Sequence, residues 1–148
     1  MDVPAAVRMD ADERDAFLGT SGTGIIALSE SMDTAPHAVP VSYGYDPEAS
    51  DFYFRLAVGR GSEKGNLQDR AATFVTFGDV EGTWKSVVAK GNLRSTTDES
   101  IETEALAGLD RVQIPLVDIF GRSLDDVSFE FYQLRPAELT GRVEHYPV

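Results

Sequence analysis

The sequence predicts a mainly β domain: six or so strands, mostly antiparallel, with two or three short helices, a set that favours a small barrel over a βαβ sheet. Three observations carry this expectation. "DFYFRLAV" and "ATFVTFGDV" alternate and are dense in aromatic and β-branched residues, which suit a half-buried pleated surface. "GD" followed closely by "EG" joins the second of these runs to "GTWKSVVAKGNLRS", marking a hairpin. The stretches with helical spacing are short.

Taken in order, "MDADERDAFLG" predicts a first helix, with Asp10 as N-cap, Glu13 as its capping-box partner and Gly19 as the stop. "GTGIIALSE" predicts a buried strand. "SMDTAP" supplies a turn into "PHAVPVSYGY", a second strand whose two prolines suit an edge or an irregular, ligand-facing stretch. "DPEAS" turns the chain into "DFYFRLAV", the third strand. "SEKGNLQDRA" predicts one to two helical turns with Ser62 as N-cap, and "ATFVTFGDV" and "GTWKSVVAKGNLRS" the fourth and fifth strands. "TTDESIETEALAGLD" places Ile101, Ala105 and Leu109 on one helical face, with Thr96 and Glu99 spaced as a capping box. "RVQIPLVDIFGRSLDDV" has no clear assignment. "SFEFYQLRP" predicts the last strand, with Phe129, Phe131 and Gln133 on one face. No internal repeat or linker interrupts residues 1–148, so a single domain is expected.

Charge excludes several partners. With 25 acidic against 13 basic residues and a formal net charge of −12, the chain would be repelled by nucleic acid phosphates and by anionic membrane surfaces. The only lysines are Lys64, Lys85 and Lys90. An acidic, lysine-poor surface suits a halophilic setting, where high ionic strength screens self-repulsion; an ordinary acidic protein is the alternative. The absence of cysteine excludes disulfides, thiolate nucleophiles and Cys-ligated zinc. "MDVPAAVRMDADERD" has no apolar signal core, and no stretch approaches the ~18 apolar residues of a membrane span, so a cytoplasmic location is expected.

The stretch richest in chemistry is "GRGSEKGNL". A helix N-terminus presents free N–H groups and the positive end of the macrodipole, a natural seat for phosphate. Ser62 can cap the helix or donate to the anion, Lys64 and Arg60 supply charge, and Gly65 would cost roughly 1 kcal/mol in a helix unless close approach rewards it. A capped surface helix whose cations balance nearby acids explains the same residues, and Glu63 would repel a phosphate unless it points away. Arg55, beside Phe54 in an apolar strand, is either outward-facing or aimed at a ligand. Trp84 is expected in the core. His37 and His145 lack spaced carboxylate partners, so neither a metal site nor a triad is suggested.

"PHAVPV", "DFYFRLAV", "SEKGNL" and "TWKSVVAKG", in that order, resemble the signature stretches of the pyridoxamine 5′-phosphate oxidase-like family of flavin-binding split barrels, over roughly residues 10 to 95. The third pattern is occupied by Ser62, Lys64, Gly65 and Leu67, and the fourth by Trp84, Val87, Ala89 and Gly91. The resemblance implies a six-stranded antiparallel split β-barrel and a homodimer with FMN at the subunit interface. It implies that Ser62 and Lys64 hold the phosphate, with Arg60 as helper. Phe54, Arg55 and Leu56 would lie where the third strand meets the flavin, while Val41 and Ser42 would approach the ring through their backbone. Ser86 takes the place of a flavin-contacting glutamine, and Trp84 that of a nearby tryptophan.

The chain departs from the family pattern at Glu63, where arginine is common, and at Arg55 and Leu56, which replace an aromatic-threonine pair. "TGRVEHYPV" lacks the Arg-rich substrate tail of true pyridoxamine phosphate oxidases, so vitamin B6 synthesis is not implied. "PHAVPVSYGYD" with "TWKSVVAKG" resembles the nitroimidazole-resistance branch more closely. The activity implied is an FMN-dependent oxidoreductase of unknown substrate. A flavin-storing protein, or the same barrel holding deazaflavin or haem, are the other readings.

Overall fold

The computed structural model describes residues 8–29, 32–59, 67, 69–96 and 127–145, with backbone only for 57–59, 127–129 and 145. One helix and six strands follow in order: α1 (Ala11–Leu18), β1 (Ser21–Leu28), β2 (His37–Asp46), β3 (Asp51–Gly59), β4 (Ala71–Val80), β5 (Thr83–Ser95) and β6 (Val127–His145). The strands close into an antiparallel barrel in the order β1-β2-β3-β6-β5-β4. The helices expected over 62–71 and 96–110 lie outside the described residues except for Leu67, Asp69, Arg70, Ala71 and Thr96; of these, Leu67, Asp69 and Arg70 are not helical and Ala71 begins β4.

Local chemistry sets the ends of α1. The Asp10 carboxylate accepts from the Glu13 N–H at 2.8 Å, and Gly19 ends the helix at φ 60°. The β4–β5 hairpin turns on Glu81 and Gly82, at φ 54° and 80°, with the Asp79 carboxylate accepting from the Gly82 N–H; two positive-φ residues are what a type I′ turn requires.

Proline has opposite meanings in two strands. Pro40 lies where β2 pairs with β1 alone, since β3 joins β2 only from Tyr43 onward, so its missing N–H costs no ladder bond there. Pro136 looked like the end of the last strand, yet β6 runs nine residues past it to His145. β6 borders β3 only as far as Leu134; beyond it, β5 is the neighbouring strand and Arg8 adds one isolated bridge at Arg142, well past the proline, which lies opposite a register irregularity at Lys90/Gly91. A strand that changes partners in this way lets one long element hold two parts of the barrel together.

The inward faces of the strands pack an aromatic cluster. Tyr43, Tyr45, Phe52, Phe54 and Phe74 are buried, and Phe74 lies 4.9–5.4 Å, centroid to centroid, from Phe54, Tyr43 and Phe52. Ile26, Val41, Leu56, Val87, Ala89, Leu93 and Leu134 complete this core. Gly24 is required where β1 crosses the cluster: a Cβ there would sit 2.5 Å from the Val75 carbonyl oxygen and 2.7 Å from the Phe74 ring.

Two core tyrosines tie α1 to the barrel. Tyr43 O–H donates to the Leu18 carbonyl at 2.8 Å, and Tyr45 O–H donates to the Asp15 carboxylate at 2.6 Å. Burial pushes the Tyr43 phenol up to about 12, and burial together with Asp15 raises Tyr45. Tyr132 is likewise raised by burial and by Glu130. A phenol whose folded pKa exceeds its unfolded value of about 10 contributes stability that is complete below pH 10 and is lost as pH rises through the folded pKa. Urea midpoints should therefore hold steady up to about pH 9 and decline between about pH 10 and 12; a flat profile across that window would contradict the burial of these hydroxyls.

Candidate functional site

Strand alternation sorts the expected site residues onto two faces. Val41, Phe54 and Leu56 point inward and are buried in the core, so only their backbone is available to a ligand outside the barrel. Ser42, Arg55, Trp84 and Ser86 have the opposite parity and point outward. Arg60, Ser62 and Lys64, expected to hold a phosphate, lie outside the described residues, as does Glu63.

The outward residues share one belt around the barrel. Tyr43 pairs with Phe54, which sets Ser42 beside Arg55, and Arg55 pairs with Phe131 on β6. In the other direction Ser42 pairs with Thr23 on β1. Thr76 Oγ1 donates to the Thr23 carbonyl at 2.9 Å, which brings Phe77 next in line, and Phe77 pairs with Ser86 on β5. Three interstrand steps separate Ser42 from Ser86, about 14 Å at the usual spacing. A three-ring heterocycle can bridge that span.

Trp84 was expected in the core and is not there. It is partly exposed on the outer face of β5, its ring 5.3 Å from that of Phe77, which is 52% exposed. The reason is parity: Val87 and Ala89 take the inward positions of β5, which leaves Trp84, Ser86, Val88 and Lys90 outside. Thr23 and Phe77 were not singled out from sequence. The signal for Phe77 was present, because in "ATFVTFGDV" it is three residues from Phe74 and so falls on the opposite face.

Within the belt, Ser42 is the floor. It is 4% exposed and lies between an exposed Thr23 and a half-buried Arg55, and its Oγ is buried with no hydrogen-bond partner. Buried hydroxyls are nearly always paired, so an orphan beside a cation asks for a polar partner. Desolvation lowers the Arg55 pKa, which means the charge is held against its own burial. One row further on, Gln133 is fully buried; its Nε2 donates to the Asp51 carboxylate at 3.1 Å, while its Oε1 is unpartnered. An orphaned hydroxyl, a half-buried guanidinium and nearby aromatic rings suit the polar edge and apolar face of a flavin. A cleft of about 390 Å³ bordered by Ala27, Ser29, Lys90, Asn92 and Glu138 includes none of the expected residues. Among the described residues no group of His, Asp and Glu could hold a metal ion, and no helix is long and apolar enough to cross a membrane.

The belt continues into a face with very little charge. The outward positions are Ala38, Pro40 and Ser42 on β2, Thr23, Ile25 and Ala27 on β1, Thr73, Val75 and Phe77 on β4, and Trp84, Ser86 and Val88 on β5. Among the described residues, charge returns at the strand ends with Asp46, Asp79, Lys90 and Arg94, and on the flanking strands with Arg55 on β3 and Glu138, Arg142 and Glu144 on β6. Ile25 and Phe77 are 40% and 52% exposed on this face.

The closed six-stranded barrel and its partner-switching last strand together define the class, a small antiparallel split barrel with a single short helix among the described residues. The profile of the pyridoxamine 5′-phosphate oxidase family matches residues 10–143, and the chain belongs to that family. The match reaches through most of β6. Solved structures agree in fold. A proposed pyridoxamine 5′-phosphate oxidase from Corynebacterium glutamicum is 19% identical, with 94% of this chain and 98% of that one covered at a TM-score of 0.67. The FAD-binding protein from Mycobacterium smegmatis is 18% identical, with 95% and 99% covered at 0.67. A proposed 5-nitroimidazole antibiotic resistance protein from Bacteroides thetaiotaomicron is 14% identical, with 93% and 86% covered at 0.56. No protein of curated function matches the chain.

Proposed function

We propose that this protein binds FMN between two copies of the chain and acts as a flavin-dependent oxidoreductase. The observation that carries the proposal is the belt from Arg55 through Ser42 and Thr23 to Ser86, with its orphaned hydroxyl, in a chain of the pyridoxamine 5′-phosphate oxidase family. When bound, the flavin supplies the hydride or electron chemistry. The chain's own residues bind and orient it. Lys64 and Ser62, helped by Arg60, hold the phosphate, and the backbone of Val41, Ser42, Phe54 and Leu56 lies against the ring. The Arg55 cation favours the negatively charged reduced ring, and Trp84 and Ser86 border it on the outer face of β5. Among the described residues the belt from Arg55 to Ser86 holds no carboxylate or imidazole to act as a general acid or base, so its residues would bind and orient the flavin, which would supply the redox chemistry.

The uncharged face explains how two such acidic chains approach one another. Across β2, β1, β4 and β5 the patch meets its copy without opposing carboxylates, and burial of Ile25, Val75, Phe77 and Trp84 supplies the attraction. A dimer whose mass is unaffected by salt, but which Phe77→Asp converts to monomer, is the expected result in sedimentation.

Purified protein should carry flavin absorbance, and the apo protein should take up FMN. Because one structural neighbour is an FAD-binding protein, FAD titrated beside FMN decides between the two nucleotides. Lys64→Ala should weaken FMN binding by about 1.5–3 kcal/mol, the range for a hydrogen bond to a charged group. Unchanged affinity would remove Lys64 from the site. Turnover of a nicotinamide donor with a nitro compound or quinone separates an enzyme from a flavin-storing protein. A Soret band in place of flavin absorbance would instead establish haem.

A further inference from the structure

We infer that the side-chain hydroxyl of Ser42, and not only its backbone, hydrogen-bonds the polar edge of the bound flavin and stabilises its reduced form. The inference rests on the proposed flavin site and adds to it a role for one atom. Ser42 is placed by register, opposite Thr23 on one side and beside Arg55 on the other. Its Oγ is buried and has no partner within the chain. Burying a hydroxyl in a strand face without a partner is unfavourable, and valine would serve the strand better. The position is a floor between an exposed and a half-buried neighbour, so a planar ligand settling over Thr23 and Phe77 would bring its edge against Ser42, whose buried hydroxyl meets it by turning outward about χ1. A hydroxyl can rotate to donate, and donation is worth more to an oxygen or nitrogen that gains negative charge on reduction. Ser42 therefore discriminates between the two redox states.

The test compares wild type, Ser42→Ala and Ser42→Thr in FMN titrations of the apo protein, in spectroelectrochemical titrations of the FMN-loaded protein, and in melts of the apo protein. Ser42→Ala should bind oxidised FMN a few-fold more weakly and reduced FMN about tenfold more weakly still. For a two-electron couple that extra factor lowers the midpoint potential by about 30 mV. Ser42→Thr, which keeps the hydroxyl, should stay close to wild type in both. The apo form of Ser42→Ala should melt no lower than wild type, because the hydroxyl it loses has no partner to lose. Wild-type protein that binds no FMN overturns the proposed function and this inference with it. Wild type that binds FMN, with Ser42→Ala matching its affinity and potential, overturns this inference alone and leaves the flavin site standing. Apo Ser42→Ala that melts well below wild type, with Ser42→Thr equally impaired in binding, also overturns it, since that pattern belongs to packing.

Discussion

Phe74→Ala should destabilise the protein by about 3–5 kcal/mol, the range for removing a fully buried aromatic ring. Phe74 is the hub of the core. Its ring meets Tyr43, Phe52 and Phe54, so truncation removes the burial of one large side chain and three edge or tilted ring contacts. The cavity cannot easily close. Gly24 already brings the β1 backbone so near that even a methyl group would collide with the ring, and a closed barrel has no free edge to shift inward. Against a typical stability of 5–15 kcal/mol, this loss leaves little margin. Urea unfolding of wild type and variant measures it. A loss below about 1 kcal/mol would mean that the barrel relaxes around the gap, and that the aromatic cluster is not its support.

Asp51→Ala should cost about 2–4 kcal/mol. Asp51 is buried at the start of β3 yet faces outward, where its two carboxylate oxygens accept from Arg135 Nε and Nη2, each at 3.3 Å, and from Gln133 Nε2 at 3.1 Å. Removing the carboxylate leaves Gln133 fully buried with its amide short of a partner, beside a carbonyl oxygen that already has none. The cation is the smaller part of the loss, because the Arg135 side chain is 47% exposed and can turn to water. Asp51→Asn should recover part of the difference, since an amide oxygen still accepts from Gln133. If Asp51→Ala and Asp51→Asn cost the same, the charge carries the interaction and the hydrogen bond does not. The consequence reaches the candidate site. Gln133 lies one row from Arg55 on the same outer face, so loosening it should also loosen the belt, and FMN affinity measured on both variants checks that link.

Much of the fold was legible in the chain because its signals are local. Asp10, Glu13 and Gly19 bracket a helix through bonds that span only a few residues, and the "GD" and "EG" pair closes a hairpin through backbone angles alone. Apolar runs, alternation and turn signals likewise placed five strands within a residue or two. The last strand was read short because Pro136 is a stop only if both strand edges are paired, and pairing is a property of the assembled sheet.

The site divides along the same line. From residue order alone the chain determined a small antiparallel barrel and an acidic, lysine-poor composition, because alternation, turn chemistry and charge are written residue by residue. Only the tertiary structure decided that Trp84 stands outside with Phe77 and that Ser42 is buried without a partner. It alone decided that Thr23 and Phe77 link Ser42 to Ser86, and that four strands share a face nearly free of charge. Each of these depends on which strands become neighbours and in what register. That choice is made by the burial of the whole aromatic core, and no single segment contains the information to make it.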